Sequence, residues 1–123
     1  MNAGIHHLTC DQGATFRKTI TMKQSNGTTA VDLTGYSARM KIKTEFGGTV
    51  LKSLTSATGQ GLTVGGSAGA PTNGEIDIEI SATDTAALTP NIIGVYDLEV
   101  ASSGGVVDRV LQGKFIITPE VTD

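Results

Sequence analysis

The chain holds 123 residues, a length suited to one domain and too short for two separate cores. Only 38% of its residues are hydrophobic and 17% charged, while glycine fills 16 positions, a composition that excludes a long helix or coiled coil. The formal net charge of -3 offers no basic surplus to neutralise phosphates or anionic lipid, so neither nucleic acid nor membrane is expected as a partner.

Met1 to Thr9 has neither the basic start nor the apolar run of a secretion signal. Within it, Ile5 and Leu8 are apolar but precede the first clear strand, and two readings follow. Residues 1–10 are either an arm that adds to a neighbour's sheet or the first strand of a sandwich whose body is residues 11–123. The arm reading makes Ile5, His6, His7 and Leu8 the candidate assembly contacts. His6 and His7 do not read as metal ligands, because adjacent side chains of an extended chain point to opposite faces and no Cys or Glu stands at ligand spacing. Cys10 is the single cysteine, so it can form neither an internal disulfide nor a zinc cluster, and the negative charge of Asp11 disfavours its thiolate. It reads as a partly buried structural thiol.

From Ala14 to Gln24, Phe16, Ile20 and Met22 share one face with Lys18 as the discordant member, which a strand reaching the rim of a sheet would explain. Asn26-Gly27 then marks a turn. Val31 and Leu33 are spaced to enter a core. In Tyr36-Ser-Ala-Arg-Met-Lys-Ile-Lys43, Tyr36, Ala38, Met40 and Ile42 alternate with Ser37, Arg39, Lys41 and Lys43, the pattern of a strand with one wet side. Thr49 to Leu54 is a less regular strand, with Val50 and Leu51 side by side. Gly59 to Gly74 contains six glycines and reads as a long loop holding one short edge strand around Leu62 and Val64. Ile76, Ile78 and Ile80 alternate with Glu75, Asp77 and Glu79 in the next strand.

Ser81 to Leu88 is the one helical turn: Ser81 caps it, Asp84 sits at its positive end and Pro90 stops it. Val95 to Val100 is a strand with Tyr96, Leu98 and Val100 inward. Ser102 to Gly105 turns the chain into a last strand, Val106 to Thr118, whose change of phase we assign to a bend at Gly113. About seven short strands with charged outer faces make an all-β, antiparallel sandwich with a short helical turn near 81–88. Phe16, Ile20, Tyr36, Met40, Ile42, Ile76, Ile78, Tyr96, Leu98 and Leu111 are its predicted core.

The carboxylates Glu75, Asp77 and Glu79, with Asp97 and Glu99, read as solvated faces rather than an acid–base pair or calcium site, and the basic stripe Arg39/Lys41/Lys43 as lying opposite such an acidic strand, with charges paired across strands. The glycine-rich loop lacks the Lys-Ser/Thr ending of a phosphate cradle. Aromatic residues are only 4% with no Trp, which weakens a carbohydrate-stacking platform. No catalytic residue, cofactor or metal site is expected.

The segments Asp11-Gln-Gly-Ala-Thr-Phe16, Val31-Asp-Leu-Thr-Gly-Tyr36, Ala38 to Lys43, Gly74-Glu-Ile, Ile80 to Leu88, Tyr96 to Val100, Val110-Leu-Gln-Gly and Ile117 to Thr122 together resemble small tailed-phage virion proteins. The pattern is similar to the immunoglobulin-like N-terminal domain of baseplate upper proteins and tail-fibre adaptors. The resemblance implies an immunoglobulin-like sandwich and a non-enzymatic structural role in the tail, baseplate or fibre adaptor. Its implied partners are other virion proteins and further copies of itself, in a virion assembled in the host cytoplasm. A capsid decoration protein is the alternative, and a carbohydrate-binding module a third reading.

Overall fold

The alternation read from the sequence builds two sheets packed face to face. The computed structural model describes residues 4–24, 26–90 and 92–121. Its strands are β1 (Gly4–Ile5), β2 (Leu8–Asp11), β3 (Phe16–Thr21), β4 (Ser37–Lys43), β5 (Val50–Thr55), β6 (Leu62–Val64), β7 (Glu75–Ile80), β8 (Ile92–Ala101) and β9 (Val107–Thr118), with one helical turn, α1 (Ala82–Ala86). The fold is an all-β sandwich, as expected from the sequence.

The smaller sheet runs β3-β7-β6, antiparallel throughout and without a bulge, from Phe16 opposite Ile80 to Thr21 opposite Glu75. The larger sheet runs β1-β9-β8-β4-β5, with β2 also on β9. Its antiparallel body is closed on one side by β1 and β2, which run parallel to β9. Both short strands keep the same offset, Gly4 with Leu111 and Leu8 with Phe115. They are therefore one edge strand, interrupted at His6 and His7.

The phase change in the last strand lies elsewhere than the sequence suggested. Gly113 pairs regularly with Tyr96, whereas the register slips between Leu98 opposite Leu111 and Glu99 opposite Arg109. Val110 is thus the extra residue, and it and Leu111 are both buried. A bulge places two successive side chains against one partner residue, which turns both toward the core. A second bulge lies at Val50-Leu51, where Ile42 pairs with Lys52 and Lys43 with Val50, leaving Leu51 as the extra residue; here only Leu51 packs against the core and Val50 stays on the outer face.

Between the sheets lie the isoleucines of β7, Met40 and Ile42 of β4, and Leu98 of β8, all essentially inaccessible to water. Phe115 joins the layers, with its ring centroid 5.5 Å from Phe16 on the opposite sheet and 6.3 Å, edge to face, from Tyr96. Ile20 and Tyr36 are only partly buried and pack against the edge of this core. Lys18 does point to the inner side, opposite Ile78, on a strand that is a sheet edge. An inward charge on an edge strand resists pairing with another sheet.

α1 plugs one end of the sandwich. Ser81 accepts from the Asp84 backbone N–H (3.2 Å), as its sequence position predicts. Thr85, fully buried, donates to the Ala14 carbonyl (2.8 Å) and accepts from the Gly13 N–H (3.1 Å). Gln12 donates to the Leu88 carbonyl (3.0 Å) and accepts from the Glu120 N–H (3.0 Å). These bonds tie the turn after β2 to α1 and to the chain beyond β9.

Candidate interaction surface

The edge strand spans the proposed contact residues, and the structure separates them. Leu8 is only 4% exposed and belongs to the core, so it is no surface contact. Ile5 is 73% exposed, and both histidines are exposed. His6 donates its N–H to the Gln112 carbonyl (2.9 Å), and its own carbonyl accepts from the Tyr96 hydroxyl (2.6 Å). His7 accepts at Nδ1 from the Lys114 backbone N–H (3.0 Å). The two histidines thus hold the interruption of the edge strand against β9. Among the described residues, no three His, Cys, Asp or Glu side chains come together as a metal set.

Gly113 makes this joint possible. A Cβ at that position would overlap the His6 carbonyl oxygen, and its absence lets the Tyr96 hydroxyl reach across the ladder to that oxygen. Burial pushes the Tyr96 phenol up to about 12, so it stays a donor. Cys10, on the same edge strand, is fully buried, and burial together with the Asp11 charge pushes its thiol up to about 11. It is an inert core residue.

The outer face of the larger sheet is a second surface, and the pairing register defines its rows. One row is His7, Lys114, Val95, Lys43 and Val50; the next is Gln112, Asp97, Lys41 and Ser53; the third is Arg109, Glu99, Arg39 and Thr55. Arg39 Nε binds Glu99 at 2.8 Å and Arg109 Nε approaches Asp97 at 3.4 Å. Lys41, Lys43 and Lys114 are in no ion pair among the described residues. Phe46, at the tip of the β4–β5 hairpin and 88% exposed, stands at the rim of a shallow depression of about 500 Å³ on this face. Ile93, 64% exposed, lies on the outer face beyond Val95, beside Ile116.

Phe46 and Ile93 were not marked by sequence reasoning. The available signal for Phe46 was an aromatic residue within Thr44-Glu-Phe-Gly-Gly48, a turn with no inner face to receive it. Ile93 follows Ile92 directly, so one of the pair must face outward from a strand.

The expected pairing of the basic stripe with an acidic strand is found on β8, where Arg39 and Lys41 stand opposite Glu99 and Asp97, whereas Arg39/Lys41/Lys43 and Glu75/Asp77/Glu79 do not meet within this chain. β4 and β7 lie in different sheets, and these residues occupy opposite outer faces of the sandwich. Glu79 instead binds Arg17 on β3 (2.7 Å), and Asp77 accepts from the Thr19 hydroxyl (2.8 Å). A cleft of about 670 Å³ between β5 and β6 is lined by Lys52, Glu79, Ser81 and Asp84, but Asp84 is held by Lys52 (3.0 Å) and Glu79 by Arg17. Both carboxylates are at least half exposed, without the burial that general acid–base chemistry uses to set two carboxyl groups apart.

No protein-family model matches the chain, and no curated protein matches it.

Proposed function

We propose that this protein is a non-enzymatic assembly module of a tailed-phage virion, seated in the tail, baseplate or fibre adaptor and acting through protein–protein contacts. The observation that carries the reading is the occurrence of exposed apolar side chains, Phe46, Ile93 and Val50, beside lysines that are in no ion pair among the described residues, on the outer face and rim of the larger sheet. Exposed apolar side chains gathered on one face mark contact with another macromolecule. The sequence resemblance to baseplate and fibre-adaptor domains supplies the setting. Capsid decoration uses the same kind of surface and is the competing location.

Immunogold labelling of purified particles from cells that carry this gene tests the proposal. Label at the tail tip or baseplate supports it. Label over the shell replaces it with decoration. Protein abundant in the lysate but on no particle overturns both.

A further inference from the structure

We propose that copies of this chain stack face to back, the outer face of the larger sheet of one copy against the outer face of the smaller sheet of the next. The inference deepens the assembly reading and rests on it for its biological setting, although the contact itself is a property of the isolated chain.

The two outer faces have opposite charge. Five of the nine Lys and Arg residues, Arg39, Lys41, Lys43, Arg109 and Lys114, stand on the larger sheet's outer face against Asp97 and Glu99. Within its strands the smaller sheet's outer face carries Glu75, Asp77 and Glu79 against Arg17, with Lys23 continuing the exposed row just beyond β3. Like faces brought together would oppose lysine to lysine or carboxylate to carboxylate, which disfavours a two-fold pairing of either face with itself.

The unlike faces match in spacing as well as sign. Lys41 and Lys43 on β4, and Glu75 and Asp77 on β7, are each two residues apart on one strand, so both pairs repeat at about 6.6 Å. None of the four is in an ion pair among the described residues, whereas Arg39 and Glu79 are already engaged on their own faces. Sheets pack with strands nearly aligned, which allows the two columns to run alongside one another. The apolar rim of the basic face would then cover the methyl groups of Thr19, Thr21 and Thr63, all exposed on the acidic face.

The smaller sheet limits the contact: three strands by at most six residues span roughly 14 × 20 Å, on the order of 300 Å² per partner. That is well under half of the roughly 800 Å² a stable free pair buries, so a single contact is weak and a row of copies gains by repetition. Because the two surfaces differ, the contact is heterologous: it closes into a ring or continues as a file, and does not stop at a dimer.

The test is sedimentation velocity on the full chain across a concentration series, at about 0.02 M and about 0.5 M salt, where the screening length falls from roughly 20 Å to roughly 4 Å. The expected result is concentration-dependent growth beyond a dimer at low salt, weakened at least tenfold at high salt. Lys41→Glu/Lys43→Glu and Glu75→Lys/Asp77→Lys should each sediment as monomers, and mixing the two should restore association, since each then offers the face the other lacks. Matched thermal unfolding confirms that the variants are folded, and Lys41→Gln/Lys43→Gln replaces the first if it is not. A wild type that stays monomeric at low salt overturns the contact but not the virion reading, which particle labelling decides. Continued self-association of Glu75→Lys/Asp77→Lys, or a mixture that stays monomeric, also overturns it.

Discussion

The smaller sheet repeats its pattern without interruption, while the larger sheet breaks its own three times. In β3-β7-β6 every residue has its partner in order, and a single column of isoleucines faces inward. The larger sheet carries bulges at Leu51 and Val110 and an edge strand interrupted at His6 and His7. Regular pairing concentrates stability in side chains that cannot be moved, and irregular pairing creates local joints that can be altered while the rest persists.

The sharpest way to break this contrast is inside the regular sheet. Ile78→Asp places a carboxylate where the side chain is 1% exposed, with Lys18 the one facing charge, and should unfold the domain, since the cost approaches the ~5–15 kcal/mol stability of a whole domain. Circular dichroism of the purified variant checks this; a native spectrum and an unchanged melting point would mean that the inner face of β7 is misassigned.

Thr85→Val tests the bonds that link the end of the regular sheet to the start of the chain. It keeps the shape but strands the Gly13 N–H and the Ala14 carbonyl, so a loss of about 1–3 kcal/mol in chemical denaturation is expected.

The irregular sheet should respond more locally. Tyr96→Phe removes the donor to the His6 carbonyl and should cost about 0.5–1.5 kcal/mol, with faster hydrogen exchange in residues 4–7 than in β7. Gly113→Ala should free the same segment by displacing the His6 carbonyl. Uniform acceleration across both sheets would show that the edge strand is part of one cooperative unit.

Alkaline pH probes the same hydroxyl. The Tyr96 phenol is raised from 10.0 to about 12 in the fold, so its neutral form is favoured there; the associated stability is complete below pH 10 and is lost as pH rises toward 12. Cys10, raised from 9.0 to about 11, adds a loss that begins one pH unit lower. Thermal melts should fall across pH 9 to 12, and Tyr96→Phe should flatten the upper part of that fall.

The smallest effects belong to the outer faces. Arg17→Ala removes an ion pair whose side chains are both more than half exposed and should change stability by less than ~0.5 kcal/mol, with Arg39→Ala slightly above it because Glu99 is better covered. A large loss from either would mean that these faces support the fold as well as contacts.

The amino-acid sequence by itself determined the strands from β3 to β9, the Ser81-capped turn, the glycine-rich loop with its short strand and most of the core, because period-two alternation and capping are local properties of the chain. It also left a trace of both bulges in the adjacent apolar pairs Val50-Leu51 and Val110-Leu111, although a glycine drew the assignment away from the second. Only the tertiary structure decided that residues 4–11 lie parallel along β9, that Leu8 turns inward while Ile5 does not, and that Gly113 leaves room for the Tyr96 hydroxyl. It likewise decided that the basic column of β4 and the acidic column of β7 face away from each other. Alternation tells which residues share a face, but which sheet a strand joins is set by long-range pairing, and that carries no local mark in the chain.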